Sequence, residues 1–315
     1  MPYTISIIIP AYNEENSIPE LYRQIMESVH GMQKNNIICN YEVLFVNDGS
    51  KDQTEEAMLV LHEQDANVHV ISLRRNFGKA TALNTGFHHV HGDIVFTMDA
   101  DLQDDPAEFP RFIEKIQEGY DLVVGWKQNR LDTAEKRLPS KLFNKVSSGF
   151  FDLPLHDHDC GFKAFRKEVV DSLDLYGELH RYIPTLAHRQ GFRITEIPVI
   201  HHKREFGHSK YGVERYLRGL FDFLTTVFLL RYSDRPMYFF GKIGSLCLVV
   251  GFAICTYLSV LWFMGNSIGG RPLLVLGVLL ILLGMQFIST GFIGNLLVDI
   301  THRDHYREDH IKKIV

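Results

Sequence analysis

Apolar and polar positions change their spacing along the chain. In the first hundred residues, short β-branched runs alternate with stretches of helical spacing. Residues 5–10, 41–47, 68–73 and 93–98 are largely apolar and end at turn-forming or acidic positions, the pattern of strands buried on both faces. Between them, residues 17–30 (with Ser17 at the N-cap position), 53–64 and 79–90 carry helical spacing. This β-α-β-α order predicts a mostly parallel sheet with helices on both faces. Further on, residues 121–125, 160–165 and 193–199 read as strands. Residues 136–151 form a basic, aromatic stretch of amphipathic character, and residues 201–212 a polar, basic loop with two glycines.

The last third is patterned differently. Residues 213–231 mix Arg215, Arg218 and Arg231 with Leu217, Phe221, Phe223, Leu224 and Phe228, as a helix lying in a membrane interface does; a buried core helix carries a similar stripe. Residues 243–264 and 272–298 then hold no charge over about 22 and about 27 residues, enough to span a bilayer, which takes roughly 20. Lys203, Arg204, Lys210, Arg215, Arg218, Arg231, Arg235 and Lys242 precede the first run, and Arg303, Arg307, Lys312 and Lys313 follow the second. Only Arg271 lies in the turn between. The positive-inside rule predicts a hairpin with both ends in the cytoplasm. Gln286 and Asn295 are polar groups able to bridge helices or subunits.

Four regions are expected: 1–212 as a catalytic domain, 213–235 as an amphipathic juxtamembrane helix, 236–300 as two transmembrane helices and 301–315 as a cytoplasmic tail. The net charge of −5 argues against a dedicated nucleic-acid binder. Cys39, Cys160, Cys247 and Cys255 form no spaced metal-ligand set and read as reduced thiols in a cytoplasm-facing protein. The first ten residues, MPYTISIIIP, lack the basic and apolar regions of a signal peptide.

Ligands of parallel sheets bind outside the carboxyl ends of the strands. Here those ends carry Ala11-Tyr12-Asn13-Glu14, Asn47-Asp48-Gly49-Ser50 and Asp99-Ala100-Asp101, so three polar clusters are expected to converge on one crevice. Two carboxylates one residue apart at a strand end can share Mg²⁺, which takes one or two carboxylates plus phosphate oxygens. A cation there would stabilise a departing nucleoside diphosphate. Asp48 reads as an acceptor for a base N–H or a ribose hydroxyl, or as the closure of an Asx-turn. Tyr12 and Glu14 offer an aromatic face and an acid, while Asn13 and Ser17 are also capping residues.

The series Ile9-Pro10-Ala11-Tyr12-Asn13-Glu14, Val46-Asn47-Asp48-Gly49-Ser50, Arg75-Asn76-Phe77-Gly78-Lys79 and Asp99-Ala100-Asp101-Leu102-Gln103 resembles the signature of glycosyltransferase family 2, with its GT-A fold. Within that family the chain is similar to the polyprenyl-phosphate glycosyltransferases over about residues 4–235, and the two-helix tail matches the bacterial members. The resemblance implies an α/β, GT-A (Rossmann-like, mostly parallel sheet) catalytic domain followed by amphipathic interface helices and a transmembrane hairpin. It implies that Pro10, Ala11, Tyr12, Glu14, Asp48 and Lys79 bind the donor. Asp99 and Asp101 would hold Mg²⁺ or Mn²⁺, with Gln103 beside them. Asp157 would lie near the sugar and the acceptor phosphate, and a second acid, Asp159, stands two residues on. Arg204, Ser209 and Lys210 match a basic loop closing over the diphosphate, although such a loop also reads as a solvated or lipid-facing patch. The resemblance also implies that Arg181 would face a donor or acceptor phosphate. Asp157, Asp101 and Arg204 are the expected catalytic residues.

The implied reaction is inverting transfer of a sugar from a nucleotide-sugar, a UDP-sugar in preference, to polyprenyl (undecaprenyl) phosphate at the cytoplasmic face of the inner membrane. The partners are the donor, the lipid acceptor and membrane lipid, with a homo-oligomer a further expectation and no nucleic acid. A lipid monophosphate is already anionic, so positioning and charge neutralisation matter more than a strong base. A processive polysaccharide synthase is the nearest rival, but the chain has no Gln-x-x-Arg-Trp motif. A non-catalytic membrane scaffold does not need the acidic cluster, and a transporter needs more than one hairpin.

Overall fold

The computed structural model describes residues 2–128, 153–202, 225, 228, 232, 235–268 and 272–303. The expected amphipathic stretch at 136–151, the basic loop with Arg204, Ser209 and Lys210, and most of the interface helix at 213–235 lie outside the described residues. Chain contacts define two units, Met1–Arg218 and Gly219–Val315.

In the first unit the strands are β1 (Tyr3–Ala11), β2 (Ile38–Asn47), β3 (Val68–Ser72), β4 (Ile94–Thr97), β5 (Leu122–Trp126), β6 (Lys163–Arg166) and β7 (Ile194–Pro198). They form one sheet in the order β3-β2-β1-β4-β6-β5-β7. β1 pairs in parallel with β2 and β4, β2 with β3, and β5 with β7. β6 is antiparallel to both β4 and β5, because the chain re-enters the sheet at the edge from which β5 left it. The strand expected at 160–165 accordingly starts three residues later.

α1 (Ile18–Lys34) buries Ile18, Leu21, Ile25, Val29 and Met32 along one stripe. Ser17 does not cap it. Its hydroxyl donates instead to the carbonyl (3.0 Å) and carboxylate (3.1 Å) of Glu14, tying the helix to the β1 turn. α2 (Thr54–Gln64) and α3 (Lys79–Phe87) follow β2 and β3. α4 (Phe109–Gln117) was not among the expected helices. It buries Phe109, Phe112, Ile113 and Ile116, and its two phenylalanines meet Phe96 of β4 and Phe162, at centroid separations from 4.4 to 6.1 Å. Such aromatic packing adds about 0.5–1.5 kcal/mol per pair beyond burial, and it fixes the floor beneath the turn that follows β4. Short helices α5 (Lys167–Ser172) and α6 (Ile183–Arg189) are the further α-helices among the described residues of this unit.

The second unit contains α7 (Pro236–Phe263) and α8 (Pro272–Arg303). Stretches of 28 and 29 residues, with mean hydropathy 2.3 and 2.4, are long and apolar enough to cross a membrane. Glycines set their contact. A Cβ on Gly244 would lie 2.8 Å from the carbonyl oxygen of Gly284, and one on Gly251 would lie 2.9 Å from that of Gly277. Small residues at such crossings let helix backbones approach closely in lipid. Asn295 accepts a hydrogen bond from the backbone N–H of Met237 (3.2 Å), so it bridges the two helices. Gln286 is exposed at the middle of α8.

Candidate active site

The chain runs β1-β2-β3 outward on one side and then places β4 on the other side of β1. The crevice at the carboxyl ends of β1 and β4 is therefore the topological switch point, where open α/β sheets bind ligands.

The turn after β1 is clipped to the turn after β2. Asn13 adopts a left-handed φ of 57°. Its N–H donates to the Ser50 hydroxyl (3.0 Å), and its side-chain oxygen accepts from the N–H of Lys51 (2.8 Å). The N–H of Glu14 donates to the Thr54 hydroxyl (2.8 Å). Gly49, with φ of 66°, packs so closely on Arg75 that an added Cβ would lie 2.4 Å from its carbonyl carbon. Only glycine fits there. This contact brings residues 75–79 against Asp48. The Asp48 carboxylate accepts from the backbone N–H of Phe77 (2.7 Å) and of Gly78 (2.9 Å), so it shapes this loop as well as lining the crevice. It does not close an Asx-turn on its own strand.

Lys79 begins α3 with its ammonium on the carboxylate of Asp99. Across from it, Gly161 lies so near that a Cβ would fall 2.8 Å from Asp99 Oδ2. Beyond Asp101 the buried Leu102 holds a left-handed φ of 61°, a conformation that costs about 1–3 kcal/mol for such a residue. This turn sends Gln103 away from the crevice. Its backbone carbonyl accepts from the N–H of His202 (2.9 Å), and its side-chain amide donates to the His202 carbonyl (3.3 Å). Asp105 meets His202 at 3.3 Å, and Asp104 forms a buried ion pair with Lys127 (2.9 Å).

A cavity of about 300 Å³ results, lined by Pro10, Ala11, Tyr12, Glu14, Asp48, Lys79, Asp99 and Asp101, together with Asn76, Gly78, Ala82 and Ala100. The three clusters expected to converge do so. Tyr12 stays 40% exposed at the wall. Gln103, expected beside the cation, is absent from that lining because its amide is committed to His202. Asp157 and Arg181 are not in the lining either.

A cationic set backs the cavity. Burial raises the Asp99 carboxyl, but Lys79, Lys127 and Lys163 outweigh it and hold Asp99 well below the usual carboxylate range. Lys163 is buried and donates to the Cys160 carbonyl; burial lowers its pKa, with Lys79 acting in the same direction. The same burial pushes the Cys160 thiol up to about 12, so Cys160 is an inert packing residue. His180 is pulled down to about 3, first by burial and then by Lys79, Arg181 and Lys163. Asp157 is buried at 2% exposure. Asp159 is exposed, 3.9 Å from Arg181, and its charge is felt by Lys79 and Lys163. Arg181 also pairs with Glu178 at 3.1 Å. Lys127, Lys163 and His180 were not singled out from the sequence. Each gains meaning only from the groups that surround it in the fold.

Among the described residues, no group of three or more Asp, Glu, His or Cys forms a cation cage. Of the four carboxylates that line the cavity, Asp99 and Asp101, beside the Lys79 ammonium, fit a Mg²⁺ or Mn²⁺ ion shared with phosphate oxygens rather than a closed structural site.

Residues 6–174 match the family model described as glycosyl transferase family 2. Over 311 residues the chain is 34% identical to dodecaprenyl-phosphate galacturonate synthase of Rhizobium johnstonii, covering 97% of this chain and 89% of that protein. Among solved structures, glucosyl-3-phosphoglycerate synthase from Mycobacterium tuberculosis in complex with Mn²⁺ and UDP-glucose has a TM-score of 0.52 and 20% identity, over 71% of this chain and 79% of that one. The same enzyme with Mg²⁺ and UDP has a TM-score of 0.52 and 19% identity, with coverage of 71% and 79%. Both structural likenesses concern the fold.

Proposed function

Because the chain belongs to glycosyltransferase family 2, we propose that it transfers a sugar from a nucleotide-sugar to a polyprenyl phosphate at a membrane. The observation that carries this reading is the meeting of Tyr12, Asp48, Lys79, Asp99 and Asp101 around one switch-point cavity, in a chain that also holds two helices of membrane-spanning length. The relative's acceptor is a dodecaprenyl phosphate by name. The donor we favour is a UDP-sugar, in keeping with the UDP-glucose and UDP bound by the solved neighbours.

In this reading Tyr12, Glu14 and Asp48 form the nucleoside end, with Pro10 and Ala11 as its floor. Asp99 and Asp101 hold a divalent cation, which when bound neutralises charge on the diphosphate leaving group. Lys79 adds a positive charge at the same place, and Arg204, Ser209 and Lys210 close over the phosphates. The acceptor phosphate attacks the anomeric carbon directly and inverts it. It needs no strong base, so Asp157 orients groups and steadies positive charge on the ring rather than taking a proton. Arg181 faces a phosphate.

Residues 1–212 are the catalytic domain, 213–235 an interface helix, 236–300 the hairpin and 301–315 the tail. The flanking Lys and Arg residues support a cytoplasmic side for the catalytic domain and for both flanks of the hairpin, at the inner membrane. This arrangement suits the acceptor, because drawing a polyprenyl chain out of lipid costs about 0.8 kcal/mol per CH₂. An exposed Gln286 at mid-helix favours a homo-oligomer.

Purified protein in lipid nanodiscs, incubated with undecaprenyl phosphate, Mn²⁺ and a panel of nucleotide-sugars, tests the reading by mass spectrometry. One donor is expected to give a lipid product heavier by one glycosyl unit. No product with any donor would overturn it.

A further inference from the structure

We propose that Lys79 is a displaceable counter-cation, which neutralises Asp99 until a divalent ion shares that carboxylate and then serves the donor's diphosphate, and that Asp48 is the residue that positions it. The inference rests on reading the cavity as a nucleoside-diphosphate site. Both side chains of the pair line the cavity, and each is about one-third exposed (33% and 32%). The ammonium is therefore within reach of any anion placed there. A lysine buried for structural reasons has no such access; Lys163, 2% exposed with its ammonium on a carbonyl, is the contrast within the same cluster.

The Lys79–Asp99 contact is made by design of the preceding loop. Asp48 takes the N–H groups of Phe77 and Gly78, the two residues directly before Lys79. Gly78 itself has a left-handed φ of 94°, which turns the chain into α3 with Lys79 at its first position. Asp48 thus fixes the direction in which Lys79 leaves the backbone. Gly161 backs the Asp99 carboxylate with no room for a Cβ, which closes off that side of it. An ammonium and a divalent ion then compete for one carboxylate, while an ammonium and a diphosphate attract. Lys79 resists the ion alone and favours the ion with its phosphate ligand, so the two ligands bind with positive coupling, which is reciprocal by linkage.

The test is Mn²⁺ binding followed by electron paramagnetic resonance and UDP binding followed by calorimetry, on the full-length protein in detergent. Lys79→Met is expected to bind Mn²⁺ alone about fivefold or more tightly than the parent, and UDP in the presence of Mn²⁺ about tenfold or more weakly. Asp48→Asn is expected to shift both in the same directions by smaller factors, and to weaken inorganic pyrophosphate as well as UDP. If Lys79→Met is not recovered folded, Lys79→Gln carries the same expectation. Mn²⁺ affinity that is unchanged or weaker in the Lys79 variant would overturn the inference. So would an Asp48→Asn effect confined to UDP and absent with pyrophosphate, which marks a base contact instead. Parent protein that binds neither Mn²⁺ nor UDP would sink the underlying donor-site reading, an outcome distinct from either of these.

Discussion

The hydroxyl of Thr97 donates to the carbonyl of Gly161 at 2.8 Å, joining the last residue of β4 to the segment that carries Asp157 and Asp159. The acidic turn and the segment expected to meet the sugar are thus tied into one body, set on the aromatic cluster of Phe96, Phe109, Phe112 and Phe162. A methyl group tests how tightly that body is built. Gly161→Ala places a Cβ 2.8 Å from Asp99 Oδ2 and 3.0 Å from its other carboxylate atoms. It is expected to cost about 1–3 kcal/mol of stability, as overpacking does, and to lower kcat/KM at least tenfold. Thermal melts and steady-state kinetics check the two together. Unaltered kinetics would mean that Asp99 need not stay where it is.

Asp157 and Asp159 separate by environment, one buried and the other exposed near Arg181. With Asp157 orienting the reacting groups, Asp157→Asn is expected to reduce kcat by about 10²-fold, the scale of a lost electrostatic stabiliser, with UDP affinity within about twofold. Near-normal turnover would remove Asp157 from the chemistry and direct attention to Asp159.

His180 supplies a pH signature. Its folded-state pKa of about 3 lies below the ordinary 6.5, so the folded protein prefers the neutral ring. The resulting stability is fully present above pH 6.5 and is lost as the pH falls towards 3, because the unfolded chain takes up the proton first. Urea midpoints of the parent are expected to drop across that window, and those of His180→Gln to drop less. Equal slopes would contradict the assignment.

The hairpin makes its own prediction. Gly251→Leu puts a side chain where a Cβ already meets the Gly277 carbonyl at 2.9 Å and Ile281 at 2.8 Å. The helices must separate. The melting temperature in detergent is expected to fall by several degrees, whereas Val249→Leu, on an exposed face of the same helix, is expected to change it little. Matching melts for the two variants would show that the glycines do not set the crossing.

Much of this is legible in the sequence. Continuous apolar runs gave the strands within a few residues, and their polar ends named most of the cavity: Tyr12, Glu14, Asp48, Asp99 and Asp101. The failures have physical causes. The sheet is mostly parallel as expected, but which strand runs antiparallel was not legible, because re-entry at one sheet edge leaves no mark on the composition of β6. α4 is nine residues long, too short for its stripe of Phe109, Phe112, Ile113 and Ile116 to stand out. Ser17 turns its hydroxyl three residues back onto Glu14 instead of onto the helix, and Gln103 spends its amide on His202, a partner that only folding brings near. The loop-shaping role of Asp48 was equally hidden, since its partners are backbone N–H groups about 30 residues on.

The most direct test of the account pairs the two products of one reaction. Nanodiscs carrying the parent protein or Asp99→Asn/Asp101→Asn are supplied with undecaprenyl phosphate, Mn²⁺ and the accepted nucleotide-sugar, and released nucleoside diphosphate is measured against lipid-linked sugar. The account predicts one nucleoside diphosphate per glycosyl lipid for the parent, no product after chelation with EDTA, and at least a 10²-fold loss in the double variant. Nucleoside diphosphate released without glycosyl lipid, or a double variant that turns over like the parent, would contradict it.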